Sequence, residues 1–119
     1  EVLTVAEIDA MIAGIDLSQP EGQRNRAILE MLYSCGLRVS ELCGLRISDL
    51  FLEEGFIRVK GKGGKERLVP ISGRAVRELE NWFLCRNLIH IKPGNEDFVF
   101  LSLRRGASFS LITIFYLVK

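Results

Sequence analysis

The chain has little of what marks several protein classes. It carries one histidine, His90, and three cysteines, Cys35, Cys43 and Cys85, with no C-x-x-C spacing. A Cys/His zinc site is therefore not expected. An odd count of dispersed thiols reads as reduced, packed small hydrophobes in a cytosolic protein, with a disulfide as the minor alternative. No apolar run approaches the ~20 residues that span a bilayer. The opening EVLTVAEIDA is acidic and has no signal-peptide pattern. Net charge is also scarce, at +1 over 119 residues. That small sum conceals an asymmetry. Residues 1–57 hold ten acids and four bases, a net of −6, and residues 58–119 hold twelve bases and five acids, a net of +7. Hydrophobic residues at 48% are enough to build a core, so disorder is excluded.

The length allows one domain or a large piece of one. Thr4 and Glu7 have capping-box spacing and predict a helix after Thr4, with Ile8, Met11 and Ile12 on one face. Residues 14–22 read as a loop, and residues 23–34 as a buried helix with Tyr33 in its core. Gly36 is placed to end that helix, and Ser40 to cap a short one holding Glu41, Leu42 and Leu45.

The period then changes. Leu50 to Leu52, a Glu-Glu-Gly turn, and Phe56 to Lys60 predict one hairpin, with Ile57 and Val59 on a common face. Gly61-Lys62-Gly63-Gly64 and the run from Arg67 to Ile71 predict a second. Together they make a three-stranded antiparallel sheet, with Pro70 at an edge or a strand end. A helix is expected over residues 73–88, with Val76, Leu79, Trp82 and Phe83 inward. Phe98 to Phe100 should be a short extended piece. A basic turn at Arg104 and Arg105 precedes a final apolar helix containing Tyr116. The expected fold class is α+β, mainly α.

Two local features carry chemistry. In the first, Arg58, Lys60, Lys62, Lys65 and Arg67 fall within ten residues against one acid, Glu66. A basic ribbon with a glycine tip fits a DNA groove and can displace phosphate counterions. It fits equally well as a solvated hairpin whose lysines protect an edge strand. Gly61-Lys62 is not a nucleotide-phosphate loop, because Gly63 stands where Ser or Thr is required. In the second, Arg38 sits between a glycine stop and a serine start, a place suited to bidentate phosphate binding. It can also cap the preceding carbonyls or pair with Glu41.

Taken together, GLRVSELCGL at 36–45 and RVKGKGGKERLVPI at 58–71 resemble the catalytic domain of tyrosine recombinases, the phage-integrase superfamily, and most of all its Xer-type and integrase-like members. The resemblance covers almost the whole chain. It implies site-specific recombination or integration of double-stranded DNA through a 3′-phosphotyrosyl intermediate, without metal, nucleotide or other cofactor. Arg38 matches the first catalytic arginine, which clamps the scissile phosphate. Lys62 matches the hairpin lysine that protonates the leaving 5′-oxygen, with Lys65 its rival. Glu41 matches the acid that supports the arginine, and Arg58, Lys60, Lys65 and Arg67 would contact DNA.

The family's His-x-x-Arg signature and its nucleophilic tyrosine find no match here. Residues 1–119 are therefore expected to be the N-terminal two-thirds of a catalytic domain, inactive alone, with no second domain present. The full-length protein would be a cytoplasmic tetramer on DNA. The alternatives are a non-catalytic DNA-binding module using the same ribbon, and an interaction domain with no nucleic-acid role. They separate on one measurement. Joint replacement Lys62→Ala and Lys65→Ala should weaken salt-dependent DNA binding and leave folding intact. An unchanged affinity in a fluorescence titration would favour the interaction domain.

Overall fold

A computed structural model describes residues 4–7 and 19–102. The expected capping box is formed. Thr4 Oγ1 accepts from the Glu7 N–H at 3.1 Å, and Glu7 Oε1 accepts from the Thr4 N–H at 3.0 Å. Ile8, Met11 and Ile12, the basic turn and the final apolar helix with Tyr116 lie outside the described residues.

Helix α1, Pro20–Cys35, begins earlier than the sequence reading had it. Pro20 occupies the first helical turn, where a missing N–H costs no hydrogen bond, so proline opens the helix here and does not mark a loop. Gly36 ends it at φ 61°, donating its N–H to the Leu32 carbonyl at 3.1 Å. Ala27, Ile28, Met31, Leu32 and Cys35 are buried, but Tyr33 is 52% exposed. Its assignment to the core is corrected: the apolar neighbours Met31, Leu32 and Cys35 are buried, and the Tyr33 ring, which carries a polar hydroxyl, stays at the surface.

Helix α2, Val39–Cys43, is a single short turn, and α3 is Gly73–Arg86. Ser72 caps α3 by accepting from the Ala75 N–H at 3.1 Å. Helices α1 and α3 pack antiparallel, joined by a ladder along one side. Arg26 meets Glu78 at 3.1 Å, Glu30 meets Arg74 at 3.0 Å, and Ser34 meets the Ser72 hydroxyl at 3.2 Å. Glu30 is buried, so its pairing matters more than that of a surface bridge. Leu79 and Trp82 fill the interface, with Val76 and Phe83 half-buried beside them.

The sheet runs in the expected order. Strands β1 (Leu50–Phe51), β2 (Phe56–Lys60) and β3 (Glu66–Pro70) pair antiparallel as β1-β2-β3. Ile57 opposes Val69 and Val59 opposes Arg67, which sends Ile57 and Val59 into the core. Pro70 closes the edge strand.

Phe98 to Phe100 does not form a strand. Phe98 makes one isolated bridge with Arg46, because side chains take the neighbouring carbonyls. Trp82 Nε1 donates to the Val99 carbonyl at 2.8 Å, and Arg86 donates to Phe98 at 2.8 Å and Glu96 at 2.6 Å. Burial lowers the affinity of the Arg86 guanidinium for its proton.

All three thiols are free, and burial pushes those of Cys35 and Cys43 up to about 11. They are packed thiols, not nucleophiles. Among the described residues no helix is long and apolar enough to cross a membrane.

Replacing Gly36 by alanine tests the hinge between α1 and α2. A Cβ there meets nothing within 4 Å, so the cost comes only from the left-handed backbone. The expected loss is about 1–2 kcal/mol in urea unfolding.

Candidate functional site

Arg38 is aimed by its neighbours. Its backbone is extended, at φ −74° and ψ 152°, so adjacent side chains alternate. Leu37 and Val39 are buried, and Arg38 between them is turned out to solvent. The helix that follows is capped differently from the sequence reading. Arg38 itself holds the N-cap position, and Ser40 lies within the helix. Glu41 supplies the capping oxygen, its Oε1 accepting the Arg38 N–H at 2.8 Å.

The same carboxylate reaches the hairpin. Glu41 Oε2 accepts from Arg67 Nη1 at 2.6 Å and Oε1 from Nη2 at 3.1 Å, a bidentate pair. The Glu41 side chain is only 6% exposed, and that of Arg67 is 47% exposed. The Arg67 hydrogen bond, helped by the Arg38 N–H, holds the Glu41 carboxyl below the usual carboxylate range although burial opposes it. The Arg67 guanidinium is correspondingly pushed up.

The turn between β2 and β3 is closed by the Gly61 N–H on the Lys65 carbonyl at 2.7 Å. Gly63 and Gly64 sit at φ 74° and 75°, a backbone that needs glycine. Lys62 and Lys65 flank that turn and are exposed. Gly61 lies against the helix: a Cβ on it would stand 3.5 Å from Glu41 Oε2. Two segments far apart in sequence thus enclose one open cleft of about 810 Å³. Arg38, Ser40 and Glu41 line it from one side, and Lys60, Gly61, Lys62, Lys65, Glu66 and Arg67 from the hairpin.

The candidate residues are not equivalent. Arg38, Lys62 and Glu41 converge on the cleft, with Lys60, Lys65 and Arg67. Arg58 is not among them. It is held by the buried Asp49 at 3.0 Å, stands 5.8 Å from the Phe51 ring centroid and lies 4.0 Å from Glu66. Among the described residues, Lys60, Lys62 and Lys65 make no ion pair, so their charge faces the solvent. Asp49 and the Arg67–Glu41 pair escaped the sequence reading. An aspartate nine residues before its arginine, across a turn, and an acid 26 residues away give no local pattern to find. Among the described residues no group of three or more His, Cys, Asp or Glu is placed to hold a metal ion.

A cleft of this kind binds an anion between a planar guanidinium and flexible ammonium groups, the combination that holds a phosphodiester. The model of the phage integrase family matches residues 1–114. The tyrosine recombinase XerC of Proteus mirabilis is 41% identical over 105 residues, which is 88% of this chain and 33% of XerC. The crystal structure of XerA recombinase has a TM-score of 0.76 at 33% identity, covering 99% of this chain and 40% of that one. XerH site-specific recombinase, bound to palindromic difH substrate in a post-cleavage complex, has a TM-score of 0.75 at 28% identity, covering 91% and 30%. The chain thus spans well under half the length of the proteins that it matches.

The Glu41 pair makes a pH prediction. Its folded value lies below the ordinary 4.5. The stability it contributes is complete above that pH and is lost as pH falls through the lower folded value. Thermal midpoints of the wild-type chain should therefore drop more steeply below about pH 4.5 than those of Glu41→Gln, whose side chain does not titrate.

Proposed function

The chain belongs to the phage integrase family, and on that premise we propose that it supplies part of a catalytic centre that breaks and rejoins DNA strands at specific sites. The supporting observation is the convergence of Arg38 and Lys62 on one cleft from two separate segments. The substrate is double-stranded DNA, a reading supported by the complex of the related XerH with palindromic difH substrate. Arg38 clamps the non-bridging oxygens of the scissile phosphate, where negative charge builds during transfer. The nucleophile is a tyrosine of the full-length protein, and neither Tyr33 nor Tyr116 takes that role. The nucleophile's phenolate oxygen, the proton already lost, bonds to phosphorus as the bond from phosphorus to the 5′-oxygen breaks. Lys62 gives its proton to that departing oxygen, and the DNA remains joined through a 3′-phosphotyrosyl link.

The second half of the reaction reverses these roles. A 5′-hydroxyl from the partner duplex attacks the phosphotyrosine, returns a proton to Lys62, and releases the tyrosine as phenolate. Each phosphodiester broken is remade, so no nucleotide is hydrolysed. The charge that a metal would neutralise falls to Arg38 and the hairpin cations. Lys60 and Lys65 contact flanking phosphates, and their release of counterions makes binding salt-dependent. Arg58 is paired with an acid in the free protein and adds less. The full-length protein acts in the cytoplasm as a tetramer on DNA.

The assignment is tested with Arg38→Ala in the full-length protein. On a nicked duplex that traps the covalent adduct, adduct formation should fall about a hundredfold or more. Duplex affinity should stay within about threefold, since one phosphate contact among several is lost. Normal adduct formation by the variant refutes the role of Arg38. DNA binding without any adduct in the wild-type protein would favour a non-catalytic binding module.

A further inference from the structure

Resting on that reading, we propose that Arg67 is a positioning residue: through Glu41 it fixes the β2–β3 hairpin against the Arg38 turn and so sets where Lys62 stands, and it does not contact DNA. Its place in the sheet supports this. Arg67 lies directly opposite Val59, and paired residues share a face. Val59 is fully in the core, so Arg67 leaves the sheet on its inner side, toward α2. Lys60 belongs to the other face.

The acidic partner is also better shielded than in an ordinary surface bridge, although Arg67 itself is 47% exposed. Glu41 is 6% exposed and uses both oxygens on Arg67. Releasing the guanidinium to a phosphate would leave a nearly buried carboxylate with only the Arg38 N–H as partner. Two parallel hydrogen bonds fix the plane and direction of the guanidinium, which a single ammonium contact cannot do. Gly61 then rests beside Glu41 Oε2, and Lys62 is the next residue. One carboxylate therefore connects the backbone of Arg38 to the strand that carries the opposite wall of the cleft. A shift of Arg67 moves the lysine relative to the arginine and leaves both present.

Amide hydrogen exchange on the chain, followed by NMR, reads this directly. In Arg67→Ala the Gly61 amide, which bonds to Lys65, should exchange at least about tenfold faster, while Leu79 on α3 stays protected. Arg67→Lys should restore part of the protection, because it keeps the charge but not the fork. If Arg67→Ala does not fold, Arg67→Lys and Glu41→Gln carry the comparison. Glu41→Gln separates the two tasks of the carboxylate: its amide oxygen can still accept the Arg38 N–H, so Arg38 stays protected while Gly61 loosens.

In the full-length protein, Arg67→Ala should slow single-turnover cleavage at least about tenfold with duplex affinity nearly unchanged. Glu41→Gln removes a negative charge from the cleft. Electrostatics alone would then tighten DNA binding and spare cleavage, whereas positioning predicts slower cleavage despite binding that is equal or tighter. Unchanged Gly61 exchange in Arg67→Ala, together with a salt slope reduced by about 0.9, would show a phosphate contact and overturn the proposal. Unchanged exchange with an unchanged slope would overturn it as well. Absence of DNA binding by the full-length wild-type protein would refute the functional reading, and the exchange data would still decide the role of Arg67.

Discussion

A single carboxylate holds the site together. Glu41 caps the short helix after Arg38 and grips Arg67 on the far strand of the hairpin. Its side chain is only 6% exposed and both of its oxygens are engaged. The arginine turn and the basic hairpin are separate pieces of local structure, and each needs little more than its own glycines to form. What makes them opposite walls of one cleft is the acid between them. The charge arithmetic of the cleft follows. Arg67 is neutralised in place, and Arg38, Lys60, Lys62 and Lys65 remain to meet an anion.

Behind the cleft, the scaffold is fixed by buried polar groups as much as by apolar ones. Glu30 and Arg74 align α1 with α3, and Asp49 holds Arg58 beside the first hairpin. Trp82 and Arg86 use their N–H groups to fasten an irregular segment whose carbonyls no strand satisfies. Each of these side chains would be costly to bury alone. Together they fix the register of elements that apolar packing would leave free to slide.

What the sequence made legible follows from distance along the chain. Both hairpins, the Gly36 stop and the helix expected over residues 73–88, which ends at Arg86, were readable because their signals lie within a few residues. The inward pair Ile57 and Val59 followed from alternation. Pro20 was misjudged because proline marks both loops and helix starts. Tyr33 was misjudged because a helix rich in apolar residues still keeps a solvent-facing row. The convergence of Arg38 and Lys62 came from resemblance to a family and not from local physics, and only the folded chain shows its cause. The Arg67–Glu41 and Arg58–Asp49 pairs had no local signature at all.

The ladder between α1 and α3 also bears on the order in which the protein takes shape during synthesis. Glu30 cannot find Arg74, nor Arg26 find Glu78, until the ribosome has released everything between them, including the whole hairpin. The hairpin needs only its own residues and closes on a microsecond timescale. Translation adds ~5–20 residues per second. The basic ribbon is therefore complete before the two helices that will support it can meet, and the newborn chain carries its binding surface ahead of its core.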